Sequence, residues 1–168
     1  PKGNFSEKTT ELIFKIGALC NNSHLSSETI KEVESWKIIG DPTEACLLTV
    51  ARKYGLHEET LNKKHPRIHA IEFDSERKRM TTIHQIEKKK FAYIKGAPDV
   101  ILKLCSKINI NGKEIKLTPK EKKKILEIND TMCKDALRVL GFAYKDVTKL
   151  NIKKIDEKIA ANIETDLV

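Results

Sequence analysis

Two hairpins constrain this chain more than any other feature of its sequence. RMTTIHQI (79–86) and FAYIK (91–95) have strand composition, and the charged stretch EKKK (87–90) between them is too short for the crossover that parallel strands need. They pair antiparallel. In KINI-NG-KEIKL (107–117) the dipeptide Asn111-Gly112 sits between alternating residues, the two-residue loop favoured by tight hairpins. RIHAIEF (67–73), RVLGFAYKDV (138–147) and VESWKII (33–39) supply further strands.

Helices are interspersed with these strands. Leu12, Ile13, Ile16, Leu19 and Cys20 recur at helical spacing behind Ser6, which predicts a helix over 7–21. The polar stretch NNSHLSSETIK (21–31) then reads as a loop. Gly40-Asp41-Pro42-Thr43-Glu44 has the grammar of a helix start, with Asp41 as N-cap, Pro42 at N1 and Glu44 at N3, and the helix runs to Gly55. Pro98 opens a short helix through DVILKLC. Thr118-Pro119-Lys120-Glu121 repeats the start grammar and opens a helix with Ile125, Ile128, Met132 and Ala136 on one stripe, and a weak helix follows near KKIDEKIAAN. Hairpins mixed with helices, without a regular βαβ alternation, predict an α+β fold: one antiparallel β-sheet flanked by helices. The 168 residues, free of internal repeats and low-complexity linkers, make one domain.

Several function classes are disfavoured at this level. Cys20, Cys46, Cys105 and Cys133 are widely separated and form no C-x-x-C pair, so they read as small core residues in a reducing compartment. No run approaches the roughly 18 apolar residues of a membrane span, and the N-terminal residues lack the apolar core of a signal peptide. Any membrane part lies elsewhere. A net charge of +8 makes anions the natural partners, and lysine runs at 88–90 and 122–124 concentrate it. Nucleic-acid readers interleave arginine and aromatics with their basic residues, however, and 5% aromatic content gives little to stack on. The seven glycines form neither a dinucleotide fingerprint nor a P-loop. His65 and His69 are four apart, but Pro66 and the strand after it deny them a common helical face, so no metal site is expected.

GDPTEACLL (40–48), FDSERKRMT (73–81), YIKGAPDVILKLC (93–105) and ALRVLGFAYKD (136–146) resemble, in this order and at compatible distances, the signature stretches of the nucleotide-binding domain of P-type cation-transporting ATPases. The ending IETDLV resembles the segment that leads back to the phosphorylation domain in that family, and the resemblance covers the chain from about residue 6. The resemblance implies an ATP site in which Phe73 stacks on adenine, Glu44 meets its amino group, Thr43 lies nearby and Lys78 borders the nucleotide. It also implies that Lys95 lies deep in the adenosine pocket, with Gly96 leaving room for close backbone approach, and that Arg138 approaches the phosphates. Read from the residues alone, Phe73 is first a core residue, Glu44 a capping residue of its own helix, and Lys95 a solvated cation at a strand-to-helix turn. Ser75 departs from those calcium pumps that carry an arginine there.

The phosphorylated-aspartate motif D-K-T-G-T does not occur in these residues. The resemblance therefore implies that the chain holds no catalytic residue and no metal ligand. It would bind ATP without hydrolysing it and, with Mg²⁺ in the intact pump, offer the γ-phosphate to an aspartate on a separate domain. Expected partners are ATP and the phosphorylation and actuator domains of the same pump, not nucleic acid. The fragment is expected to be monomeric, at the cytoplasmic face of a membrane, and calcium is the leading ion. Two other readings remain open: a basic nucleic-acid-binding domain and a free-standing adenine-nucleotide sensor.

Overall fold

The computed structural model describes residues 6–30, 33–152 and 154–168. In chain order the elements are α1 (Glu7–Leu19), β1 (His24–Ile30), β2 (Val33–Ile39), α2 (Pro42–Lys53), α3 (Glu58–Lys64), β3 (Arg67–Asp74), β4 (Arg79–Ile86), β5 (Lys89–Gly96), α4 (Pro98–Leu104), β6 (Lys107–Ile110), β7 (Lys113–Lys116), α5 (Pro119–Lys134), β8 (Gly141–Asp146) and α6 (Glu157–Ile163). Strands β3, β4, β5 and β8 form a four-stranded sheet in that order, antiparallel throughout. The fold is the expected α+β, with two hairpins, β1-β2 and β6-β7, standing outside the main sheet.

Local chemistry accounts for several helix starts. Asp41 caps α2, and Thr118 with Glu121 closes a full capping box on α5. Three elements differ from the sequence reading. Residues 24–30 are a strand, not a loop: β2 needs an antiparallel partner, and the polar stretch supplies one along its whole length. Helix α3 was not expected. Glu58 and Glu59 in its first turn and Lys63 and Lys64 in its last complement the helix dipole, and Leu61 anchors it in the core. On α5, Ile125 packs against the core, but Ile128 is 51% exposed and Met132 39%, and Ala136 lies beyond the helix end at φ 57°. The cysteines divide as well: Cys20 and Cys105 are buried, whereas Cys46 and Cys133 are exposed and are not core residues.

The central strands are covered on both faces. Along β5, Tyr93 turns toward Ile16, Leu19, Leu48 and Met80 beneath α1 and α2, while Ala92 and Ile94 turn toward Ile83, Ile101, Ala143 and Ile163 on the α4 and α6 side. Burying each such large apolar side chain contributes about 1.5–3 kcal/mol. At one end the four strands finish in a single row, Asp74 paired with Arg79, Arg79 with Gly96, and Gly96 with Gly141. Beyond β8, the backbone of Val168 exchanges two 3.1 Å hydrogen bonds with Tyr144, so the C-terminal residues cover that edge.

Candidate functional site

That end row brings the sequence candidates together. Phe73 precedes Asp74, Lys78 precedes Arg79, Lys95 precedes Gly96, and Arg138 lies three residues before Gly141. The N-terminus of α2 comes alongside. Asp41 Oδ1 accepts from the N–H groups of Thr43 (2.7 Å) and Glu44 (3.2 Å), and these hydrogen bonds hold its carboxyl below the ordinary carboxylate range. With Asp41 capping the helix, Glu44 is free for other partners. Its Oε2 accepts from the N–H groups of Asn22 (2.7 Å) and Ser23 (3.1 Å), and its Oε1 accepts from Lys95 Nζ at 2.6 Å. The helix-capping alternative for Glu44 is thereby excluded.

Lys95 is not solvated surface either. It lies cross-strand from Met80 and Phe142 on the α1 side of the sheet and is only 6% exposed. The loop that faces it is itself held in place. Arg67 donates from Nη1 to Asn22 Oδ1 (2.7 Å) and from Nη2 to the carbonyls of Leu19 (3.2 Å) and Asn21, and Asn21 Nδ2 donates to the carbonyls of Gly17 (3.0 Å) and Glu44 (2.8 Å). Gly40, at φ 117°, passes so close to Ser23 that a Cβ would lie 2.4 Å from its Oγ. Burial pushes the Cys20 thiol up, which leaves it inert.

The turn between β3 and β4 carries Lys78 in the left-handed region at φ 51°. Asp74 Oδ1 accepts from the N–H groups of Glu76 and Arg77, both at 2.8 Å, Lys78 N donates to Asp74 O at 2.7 Å, and Ala97 N donates to Lys78 O at 3.0 Å. A Cβ on Gly96 would lie 2.5 Å from Lys78 O. The backbone that comes close to Gly96 is therefore that of this turn, which ties Lys78 to the end of β5. Phe73 is 60% exposed and so is not a core phenylalanine. Arg138 Nη1 donates to Thr43 Oγ1 at 3.0 Å. Hydrogen bonds thus link Arg138 to Thr43 and Lys95 to Glu44, whereas Phe73 and Lys78 are brought to this end by the backbone of β3 and of the turn after it. The result is an exposed aromatic face, two exposed cations and a carboxylate held from three sides. Among the described residues no group of three His, Cys, Asp or Glu side chains is placed to hold a metal.

A family model described as the P-type ATPase cytoplasmic domain N matches residues 9–168. The chain belongs to the P-type ATPases. Similar proteins include calcium-transporting ATPase 1 of Lactococcus lactis, 36% identical over 145 residues that cover 86% of this chain and 16% of that protein. Calcium-transporting ATPase 1 of Bacillus cereus is 35% identical over 149 residues, 89% of this chain and 16% of its own length. A calcium-transporting ATPase of Listeria monocytogenes is 36% identical over 154 residues, 89% of this chain and 17% of its own length. This N domain therefore spans about a sixth of the length of the curated relatives it matches. Its site contains parts that sequence reasoning missed: Arg67, Asn21, and the backbone donors of Asn22 and Ser23. The only local signal for them is the polar Asn-Asn-Ser run directly after an apolar helix, which marks a loop and not what the loop binds.

Proposed function

We propose that this N domain binds ATP at the sheet end, with adenine stacked on Phe73 and its amino group donated to Glu44. The observation that carries this reading is the Glu44 carboxylate. It has about four lone-pair positions, three of which are taken by Lys95, Asn22 and Ser23. One remains for a donor that arrives from outside, and the side chain is 16% exposed there. Lys95 holds Glu44 in this orientation and also presents a cationic wall to the adenosine. Gly96 sets the depth of the site by letting the Lys78 turn close on β5, and Thr43 holds the Arg138 guanidinium at the α2 N-terminus. Stacking on the exposed Phe73 ring is worth about 1–3 kcal/mol, and the exposed Lys78 and Arg138 meet phosphate oxygens that stay largely in water.

In the longer protein, this domain presents the γ-phosphate to an aspartate of a separate phosphorylation domain, coupling ATP use to cation transport. Mg²⁺ bound with the phosphates in the longer protein would supply neutralisation of their charge, and no described residue is assigned to hold it. The names of the bacterial relatives support calcium as the transported ion. Partners are ATP and the phosphorylation and actuator domains of the same chain, at the cytoplasmic face, and the isolated domain is a monomer.

Amide NMR titration with ATP, ADP, AMP and ITP tests the reading. The three adenine nucleotides should bind with similar Kd of about 0.1–1 mM and shift resonances around Phe73, whereas ITP, with a carbonyl in place of the amino group, binds more weakly. Equal affinity for ITP, or no shifts near Phe73, refutes it. With Mg²⁺ and ATP the isolated chain should release no phosphate, and an acyl-phosphate label on it would contradict the absence of a nucleophile.

A further inference from the structure

Among the described residues Glu164, at the C-terminal end of α6, is the one buried carboxylate the proposed site does not use, at 2% exposure. Its Oε1 accepts from Thr81 Oγ1 at 2.6 Å and from Arg77 Nη2, and its Oε2 accepts from Arg79 Nε at 2.8 Å and pairs with Arg79 Nη2 at 2.8 Å. Arg79 Nη1 in turn donates to Arg77 O at 3.1 Å. We propose that Glu164 is a positioning residue for the nucleotide turn: by gripping Arg77 and Arg79, which flank Lys78, it fixes where Lys78 stands when ATP arrives. The inference rests on the ATP site proposed above.

Three features give Glu164 this role. Its partners bracket Lys78 from both sides in sequence, and Lys78 holds a left-handed backbone conformation that a side-chain-bearing residue keeps only when its surroundings impose it. It also acts from the back of the sheet. Arg79 and Thr81 alternate with Met80, which lies across from Lys95, so Glu164 and the Glu44–Lys95 pair approach opposite faces and Glu164 does not itself meet the ligand. Finally, the post is rigid. Just past Glu164, Leu167 N donates to Leu104 O, Ser106 N and Lys107 N donate to Leu167 O, and Lys145 Nζ donates to the carbonyls of Asn162 and Thr165. A buried ion cluster is a weak device for stability alone, because desolvation offsets most of the attraction; fixed geometry is what it supplies.

The test uses this chain with Glu164→Gln, which keeps the volume and removes the charge, and with Arg77→Gln as a second variant should the first fail to fold. Urea curves first define a temperature at which each variant is fully folded. At that temperature ATP titrations should show Kd raised about three- to tenfold in either variant, and faster exchange of the Lys78 amide without nucleotide. In a Lys78→Ala background the same substitution should change Kd by less than about twofold, since there is no longer a lysine to misplace. A purely structural role would lower stability and leave both the affinity of the folded chain and this coupling untouched. Unchanged affinity in Glu164→Gln and Arg77→Gln, or an undiminished loss in the Lys78→Ala background, overturns the inference while the ATP site stands. No ATP shifts in the unaltered chain overturn the site and the inference together.

Discussion

Lys95→Ala separates a buried structural cation from a surface one more sharply than any other substitution here. The change leaves Glu44 Oε1 without its 2.6 Å partner, while Oε2 keeps its two backbone donors. Removing one member of a buried ion pair costs about 3–5 kcal/mol when the survivor has no water. Glu44 retains 16% exposure and recruits some, which lowers the cost, but the lysine stem also leaves a buried place cross-strand from Met80 and Phe142. The expected loss is about 2–4 kcal/mol, or a Tm drop of roughly 5–15 °C for a domain of this size. Urea unfolding followed by far-UV circular dichroism reads it, with Lys95→Met to separate the stem from the charge. ATP affinity of the folded variant should fall several-fold as Glu44 loses its orientation. Lys89, 65% exposed and 3.7 Å from Asp146, is the control and should cost under about 0.5 kcal/mol when replaced by Ala. A loss below about 0.5 kcal/mol for Lys95→Ala would refute the reasoning.

Phe73→Ala should leave stability within about 0.5 kcal/mol, because the ring is 60% exposed, yet abolish measurable ATP shifts; a large stability loss would return Phe73 to the core. Arg138→Ala should weaken ATP more than AMP in the same titrations, and equal effects on both would remove it from the β- and γ-phosphates. His84 gives a pH signature. Burial pushes its pKa down to about 4, with its ring nitrogens engaged by His65 O and Thr82 Oγ1, so the folded chain keeps it neutral while the unfolded chain protonates near 6.5. Stability should therefore be lost as pH falls from about 6.5 to 4, by about 3 kcal/mol, with no contribution above that window; His84→Gln should flatten the slope, and an unchanged slope would assign it elsewhere.

What the sequence made legible was local. Asp41-Pro42 and Thr118-Glu121 announce helix starts because caps are satisfied within three residues, and Asn111-Gly112 fixes a hairpin because its loop needs positive φ. What it concealed depends on contacts across the chain. Nothing near Glu44 distinguishes a capping carboxylate from one whose partners sit 21, 22 and 51 residues away. Phe73 ends a strand in either reading, and only the packed fold decides which side of the surface it occupies. Strand β1, rich in Ser, Thr and Glu, lacks the apolar alternation that marks a half-buried strand, since its partner β2 stands outside the main sheet. The α5 stripe fails for the opposite reason: helical spacing says which residues share a face and not whether anything covers it.

The same geometry bears on the choice between a nucleotide and a nucleic acid. The lysine run at 88–90 lies at the start of β5, whereas Lys95, Gly96, Phe73 and Lys78 gather at its far end. Seven residues of extended strand between Lys89 and Gly96 span about 23 Å, nearly three screening lengths at physiological ionic strength. A polyanion reader needs its cations and its stacking faces interleaved along one track, so that each base can stack while its phosphate is neutralised. Here the exposed ring at the site stands apart from the lysine run at 88–90. At the sheet end Lys95 is already committed to Glu44, and the exposed Lys78 and Arg138, the latter hydrogen-bonded to Thr43, supply charge for one set of phosphates and not for a track of them. That arrangement favours a single nucleotide over a strand, and it makes low salt sensitivity of ATP binding the expected companion of the Lys95 result: affinity that falls steeply with ionic strength, equally for Lys89→Ala and Lys95→Ala, would point back to diffuse charge.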